Sequence, residues 1–227
     1  MSISHEIPEE AWSDAWCKPC VAMGQLELVE KELNAWKAGG PHPAFDPFCE
    51  LISRCEEYET ILEIGCGCGH YTEVLFYSGL DCPFTGVDIS IDAIEIADKR
   101  FGNLGRFVVG DAANLDFDDQ AFSCVVLGSV TGCVADWETV LYEASRVSSQ
   151  YLMLHRVKCH DAMSHDGLTI VEDVKTAYGV EMAERSFDET ALIDEVKAIT
   201  GGELIGEQIT WSRSLKHWQM SCVLEKR

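Results

Sequence analysis

The run Ile61-Leu62-Glu63-Ile64-Gly65-Cys66-Gly67-Cys68-Gly69 leads an apolar, strand-like segment directly into three alternating glycines. Glycines at such a turn let the backbone bend sharply and approach a ligand with no Cβ in the way. A helix starting just beyond them offers unpaired amides. A second acid, Asp88, ends the run Phe84–Asp88, 23 positions after Gly65, where a carboxylate is placed to accept hydrogen bonds from ribose hydroxyls. A third feature, Gly110-Asp111-Ala112, follows the run Arg106–Val109. Each acid alone has an equally good reading as a helix cap or turn residue, but three such features in order, each at the end of a strand-like run, point to a nucleoside-bearing ligand. A pyrophosphate loop would read G-x-G-x-x-G and place glycine where this chain has His70.

A second group of residues could act on whatever that ligand reacts with. In open α/β sheets, pockets lie beyond the carboxyl ends of the strands, which here directs attention to Ser129, Thr131, His155 and Arg156. A histidine titrating near neutrality suits a general base, so His155 is the catalytic candidate. Its structural alternative is a hydrogen bond to the connection after its strand. Arg156 is placed either to bind a carboxylate or phosphate of the substrate or to pair with one of the chain's many acids. Trp16-Cys17-Lys18-Pro19-Cys20 has the residue pattern of a redox dithiol, but the preceding segment reads as helical rather than as a buried strand. No second C-x-x-C or H-x-x-x-H completes a familiar zinc set, and no metal is expected.

These residues need elements to hold them. Leu26, Val29, Leu33 and Trp36 recur at helical spacing ahead of Gly39-Gly40-Pro41, and Phe48, Leu51, Ile52 and Cys55 line a second helix for which Asp46-Pro47 supplies an N-cap and first-turn pair. From Thr60 the pattern changes to strands at Thr60–Ile64, Phe84–Asp88, Arg106–Val109, Cys124–Gly128 and Tyr151–His155. Helices at His70–Gly79, Ile91–Phe101 and Trp137–Val147 alternate with them, with Ser90 and Asp136 as caps. Residues 157–187 show no period and read as a lid-like connection. A helix at Asp188–Ile199 and two strands, Glu203–Ile209 and His217–Glu225, close the chain as an antiparallel hairpin. The expected architecture is α/β: a doubly wound, mostly parallel seven-stranded sheet with that C-terminal hairpin and extra N-terminal helices. It divides into a helical cap at 1–58 and a main domain at 59–227.

Composition narrows the partners. The balance of 17 Lys+Arg against 39 Asp+Glu gives a formal charge of −22, which repels a phosphate backbone, so nucleic acid is not expected. No apolar run is long enough to span a membrane, and the acidic start does not resemble a secretory signal. Cysteines inside apolar runs, such as Cys124 and Cys222, read as small hydrophobes in a reducing cytoplasm.

The spacing Glu63-x-Gly65-x-Gly67-x-Gly69, Asp88 at the next strand end and Gly110-Asp111-Ala112 at the third together resemble the motifs of class I, Rossmann-like, S-adenosylmethionine-dependent methyltransferases. The resemblance covers roughly residues 60–156 and the terminal hairpin. It departs from the family at Ser123, where Asp is frequent. It implies S-adenosylmethionine as cofactor and S-adenosylhomocysteine as product. By the same resemblance, Glu63 precedes the loop of Gly65, Cys66, Gly67 and Gly69, Asp88 takes the ribose, Ile89 the adenine ring, Asp111 and Ala112 the adenine edge, and Gly128 is a further cofactor-binding residue. Leu127-Gly128-Ser129-Val130 lacks the Asn or Asp followed by two prolines found in enzymes that methylate amines of nucleic-acid bases. A small-molecule acceptor is therefore expected, since a lid of N-terminal helices suits a small substrate. A protein methyltransferase and a non-catalytic cofactor-binding partner are the alternatives. The atom that receives the methyl, the oligomeric state and the role of Cys17 and Cys20 are not legible.

Overall fold

The computed structural model describes residues 7–80, 82–160, 165, 167–212 and 217–226. Three helices, α1 (Glu9–Trp16), α2 (Pro19–Lys37) and α3 (Phe45–Ile52), precede the alternating part. Strands β1 (Ile61–Ile64), β2 (Phe84–Asp88), β3 (Gly105–Val109), β4 (Phe122–Gly128) and β5 (Ser148–His160) then alternate with helices α4 (His70–Tyr77), α5 (Ile91–Phe101) and α6 (Trp137–Val147). Beyond them come β6 (Ile170–Ala177), β7 (Val180–Asp188), α7 (Glu189–Thr200), β8 (Glu203–Ser212) and β9 (His217–Glu225). The parallel strands lie in the order β3-β2-β1-β4-β5, and β9 pairs antiparallel with both β5 and β8. Those seven strands are the sheet anticipated from the sequence. The residues joining β8 to β9, 213–216, lie outside the described residues.

β1 and most of β4 are buried on both faces, as expected of parallel strands covered by helices on either side. One face packs Ile61, Val126 and Met153 against α3, α4 and α5, with Phe45, Phe48, Tyr71 and Val74 filling the layer. The other packs Leu62, Val125 and Leu152 against α6 and α7 through Leu141, Ala144 and Val196. The N-terminal region is shared between two places: α3 and the second half of α2, through Leu33 and Trp36, belong to the main core, whereas α1 and the start of α2 pack beside the β6–β7 hairpin through Ala15 and Val21. Among the described residues, no helix is long and apolar enough to cross a membrane.

Helix ends follow the expected chemistry, with one correction. Ser90 accepts from the Ala93 amide at 3.3 Å and Asp136 from Thr139 at 3.1 Å. Asp46 is not the N-cap of α3, because that helix begins at Phe45, with Ala44 in the cap position. His42 Nδ1 instead accepts the amides of Ala44 and Phe45 at 3.3 and 3.2 Å, and the Asp46 carboxylate accepts from Trp36 Nε1 and from the His42 amide, both at 2.8 Å.

The segment 157–187, expected as an irregular connection, is largely strand. β5 continues five residues past His155, and β6 and β7 form an antiparallel hairpin that joins the end of β5 in parallel through Cys159–Phe187 and His160–Asp188. Residues 161–164 and 166 of that segment lie outside the described residues. The hairpin turns at Tyr178 and Gly179, both with positive φ (54° and 81°), the geometry that suits the right-handed twist of two-residue hairpins.

Ser123, where the resembling family often has Asp, serves the sheet. Its hydroxyl accepts from the amides of Glu59 and Thr60, both at 2.8 Å, and donates to the Thr60 carbonyl at 2.9 Å, fixing the start of β1 against β4. Ser123→Ala leaves those two amides without their partner and is expected to cost about 1–3 kcal/mol of stability, read as a lower urea midpoint at unchanged slope.

Candidate functional site

At the carboxyl ends of β1, β2 and β4, beneath α1 and α2 and beside the β6–β7 hairpin, lies a cleft of about 800 Å³. Its floor is the turn between β1 and α4. Gly65, Gly67 and Gly69 all have positive φ (75°, 51° and 76°), and at Gly65 a Cβ would sit 2.0 Å from Val130 Cγ2, so no other residue fits there. The Gly65 and Cys66 amides donate to the Val87 carbonyl at 2.8 and 3.1 Å, and the Gly67 amide donates to Asp88 Oδ2 at 2.8 Å. Asp88 Oδ1 accepts from the Ser90 amide at 2.9 Å. Burial raises the Asp88 carboxyl above its ordinary range, and the amides of Ser90, Gly67 and Ile89 oppose that shift by stabilising the anion. Each carboxylate oxygen keeps a lone pair free for a ligand hydroxyl.

Eight of the ten residues expected around the ligand line this cleft: Gly65, Cys66, Gly67, Asp88, Ile89, Asp111, Ala112 and Gly128. Asp111 Oδ1 accepts from the Ala113 amide at 2.9 Å, and the exposed carboxyl keeps its second oxygen for a ligand. The other two support the loop from behind. A Cβ at Gly69 would meet Phe107 at 2.8 Å, so this glycine seats the turn against β3 and α5. Glu63 is 2% exposed and lies under the loop beside Gly128, with Oε2 lacking a partner; burial, then the nearby Asp88, pushes its carboxyl up to about 8.

His155 does not line the cleft. It is fully buried, with Nε2 2.6 Å from the Tyr71 hydroxyl and Nδ1 2.9 Å from Ser221 Oγ, so both ring nitrogens are occupied. Burial, and then the neighbouring Arg156, hold its imidazole neutral, well below the usual histidine range. The next residue faces the other way. Between Leu154 and Val157 the pairing of β5 with β9 slips, and Arg156 takes a left-handed φ of 60°. A bulge of this kind re-aims a side chain, at a backbone cost of order 1–3 kcal/mol for a non-glycine residue. Arg156 lines the cleft, and the buried Nε atom has no hydrogen-bond partner.

Several other lining residues carried little sequence signal. Trp16 and His70 each bring a buried ring nitrogen without a partner, and burial lowers the His70 imidazole to about 3. Tyr178, at the hairpin tip, lies over Gly24 of α2, where a Cβ would be 2.3 Å from the phenol ring. Gln25 stands over Gly67. Polar atoms buried this way are normally satisfied by a ligand or by water. Cys17 ends α1 and Cys20 lies in the first turn of α2; both are exposed.

Residues 62–150 match the family model described as a methyltransferase domain. Over 89 residues the chain is 35% identical to demethylmenaquinone methyltransferase of Thermotoga maritima, a stretch covering 39% of this chain and 38% of that protein. Over 88 residues it is 34% identical to phthiotriol/phenolphthiotriol dimycocerosates methyltransferase of Mycobacterium tuberculosis, covering 38% of this chain and 33% of the relative. The chain thus matches little more than a third of the length of these relatives. Among solved structures, 1,6-didemethyltoxoflavin-N1-methyltransferase of Burkholderia thailandensis, with bound 1,6-didemethyltoxoflavin and S-adenosylhomocysteine, superposes with a TM-score of 0.64 at 15% identity. The match covers 100% of this chain and 93% of that one. A SAM-dependent methyltransferase of Methanosarcina mazei gives 0.62 at 20% identity, covering 78% and 96%. The fold is the Rossmann-like fold of these enzymes, and the strand-end motifs of β1 and β2 lie within the matched domain.

Glu63 makes a pH prediction. Its folded-state value near 8 lies above the ordinary 4.5, so the protonated form is the one that folding favours. The associated stability is complete below pH 4.5 and is lost as pH rises through 8, on the order of 3–5 kcal/mol in all. Glu63→Gln mimics the protonated acid. Its thermal midpoint is expected to match wild type near pH 5 and to exceed it at pH 8.5; equal midpoints at both pH values would refute the assignment.

Proposed function

Starting from a chain built on a class I methyltransferase domain, we propose that it transfers the methyl group of S-adenosylmethionine to a small-molecule acceptor and releases S-adenosylhomocysteine. The observation that carries this reading is the Asp88 carboxylate. It is held by the Gly67 and Ser90 amides at the lip of a glycine turn and still has acceptor capacity toward the cleft. In this reading the ribose hydroxyls donate to Asp88, Ile89 covers one face of the adenine, and the Asp111 carboxylate accepts from its exocyclic amine. The methionine end lies over Gly65 and Gly67, toward the amides of the first turn of α4.

Cleft size and enclosure support a small acceptor. A volume of about 800 Å³ is near the upper end for ligand pockets and accommodates a cofactor and a second compact molecule. α1, α2 and the β6–β7 hairpin wall it in, which suits a metabolite better than an extended protein segment. The named activities of the two bacterial relatives, on a quinone precursor and on a lipid, point the same way.

The sulfonium methyl is already activated, so the protein's contribution is chiefly alignment of nucleophile, methyl and sulfur in a chamber that excludes water. With both nitrogens of His155 engaged in the core, the reading assigns no step to that ring.

Calorimetric titration with S-adenosylmethionine, S-adenosylhomocysteine and NAD tests the cofactor. Micromolar binding of the two adenosyl ligands without NAD is the expected result, and absence of binding to either would sink the proposal. Asp88→Ala is expected to weaken S-adenosylhomocysteine binding by about 1–3 kcal/mol, roughly a five- to 150-fold rise in Kd. Unchanged affinity would remove Asp88 from the site.

A further inference from the structure

Among the described residues, four Lys and Arg side chains line the cleft: Arg156, Lys158, Lys175 and Arg185. Three are paired with carboxylates in place, two of them sharing one acid. Lys158 and Lys175 converge on Glu184. Arg185 pairs with Glu172 at 2.6 Å and donates to the carbonyls of Thr131, Val134 and Ala135. Among the described residues, no carboxylate lies within 4.0 Å of the Arg156 guanidinium. The two acids nearest to it in effect are not free to serve: Glu32 pairs with His42 Nε2 at 3.4 Å, and Glu63 lies sealed beneath the loop.

The Arg156 guanidinium is partly buried and keeps its charge through the Tyr71 hydroxyl and the field of Glu32, yet it has no carboxylate bonded to it, and a charge-assisted, bidentate partner from a ligand would complete it. The surroundings hold Arg156 for that purpose. Its amide donates to Ser221 Oγ at 3.2 Å, the same hydroxyl meets His155 Nδ1, and His155 Nε2 meets the Tyr71 hydroxyl, which stands beside the guanidinium. The bulge and this closed chain of polar contacts aim a planar fork of donors into the cleft. That fork matches the two oxygens of a carboxylate. Tyr178 and Met182 supply apolar wall in the same cleft.

We infer that the methyl acceptor carries a carboxylate and that Arg156 binds it. The inference rests on the methyltransferase reading and names its substrate class.

The test uses the whole chain saturated with S-adenosylhomocysteine, titrated by calorimetry with benzoate and with its neutral isostere benzamide. Wild type is expected to bind benzoate at least tenfold more tightly. Arg156→Gln is expected to abolish that preference while leaving S-adenosylhomocysteine affinity within about twofold, and Arg156→Lys to keep the charge and part of the preference even if the Gln variant fails to fold. Equal or absent binding of the two probes to wild type overturns the inference, as does a preference that survives in Arg156→Gln. A tenfold loss of S-adenosylhomocysteine affinity in Arg156→Gln also overturns it, since the guanidinium would then serve the cofactor's own carboxylate. Wild type that fails to bind S-adenosylhomocysteine sinks the underlying reading instead, and the benzoate–benzamide comparison on the unloaded chain then decides whether the anion site stands alone.

Discussion

The arrangement at the open end of the sheet depends on how closely the turn after β1 lies against the ends of β2 and β4. Gly65 leaves no room for a Cβ beside Val130, and the Gly67 amide is tied to a carboxylate on the neighbouring strand. That contact fixes three things at once: the path of the loop, the direction in which α4 leaves it, and the orientation of Asp88. Main-chain hydrogen bonds to Val87 hold the turn from the same side, so the cleft floor is built of backbone whose geometry is set before any ligand arrives.

The electrostatics follow from the same compactness. Packing the turn this tightly buries Glu63 and partly buries Asp88, and two nearby carboxyls in a poorly solvated place cannot both ionise cheaply. The structure separates them by surroundings: Asp88 receives amide donors, whereas Glu63 has an oxygen with none. One therefore carries the negative charge that faces the cleft and the other acts as a nearly neutral spacer under the loop.

The parts of this site that were readable in the sequence are those whose chemistry is local. Glycines at alternate positions after an apolar run, and acids at the ends of two more, stand where β1, β2 and β3 end, because strand ends and loop conformations depend mostly on nearby residues. The parts that escaped depend on distant ones. β6 is exposed along much of its length and mixes Glu172, Asp173 and Lys175 with apolar residues, so alternation is masked. Its turn uses Tyr178-Gly179 rather than the Asn-Gly pair that would have announced a hairpin. The exchange of roles between His155 and Arg156 arises from a register slip against β9, whose nearest paired residue is over sixty positions away. Asp46 likewise looked like a cap because a histidine acting through Nδ1 leaves no comparable mark in the sequence.

The length of β5 bears on access to the cleft. One continuous strand pairs with β4 over its first part, with β9 along most of its length and with β7 at its far end, so the β6–β7 hairpin extends the sheet. On the opposite side α1 and α2 close against the hairpin through the buried cluster of Ala15, Val21 and Met182, with Tyr178 resting on Gly24 of α2. In mechanical terms the sheet supplies the frame and the jamb, and the N-terminal helices are fastened to both, to the hairpin through Ala15, Val21 and Met182 and to the core through Leu33.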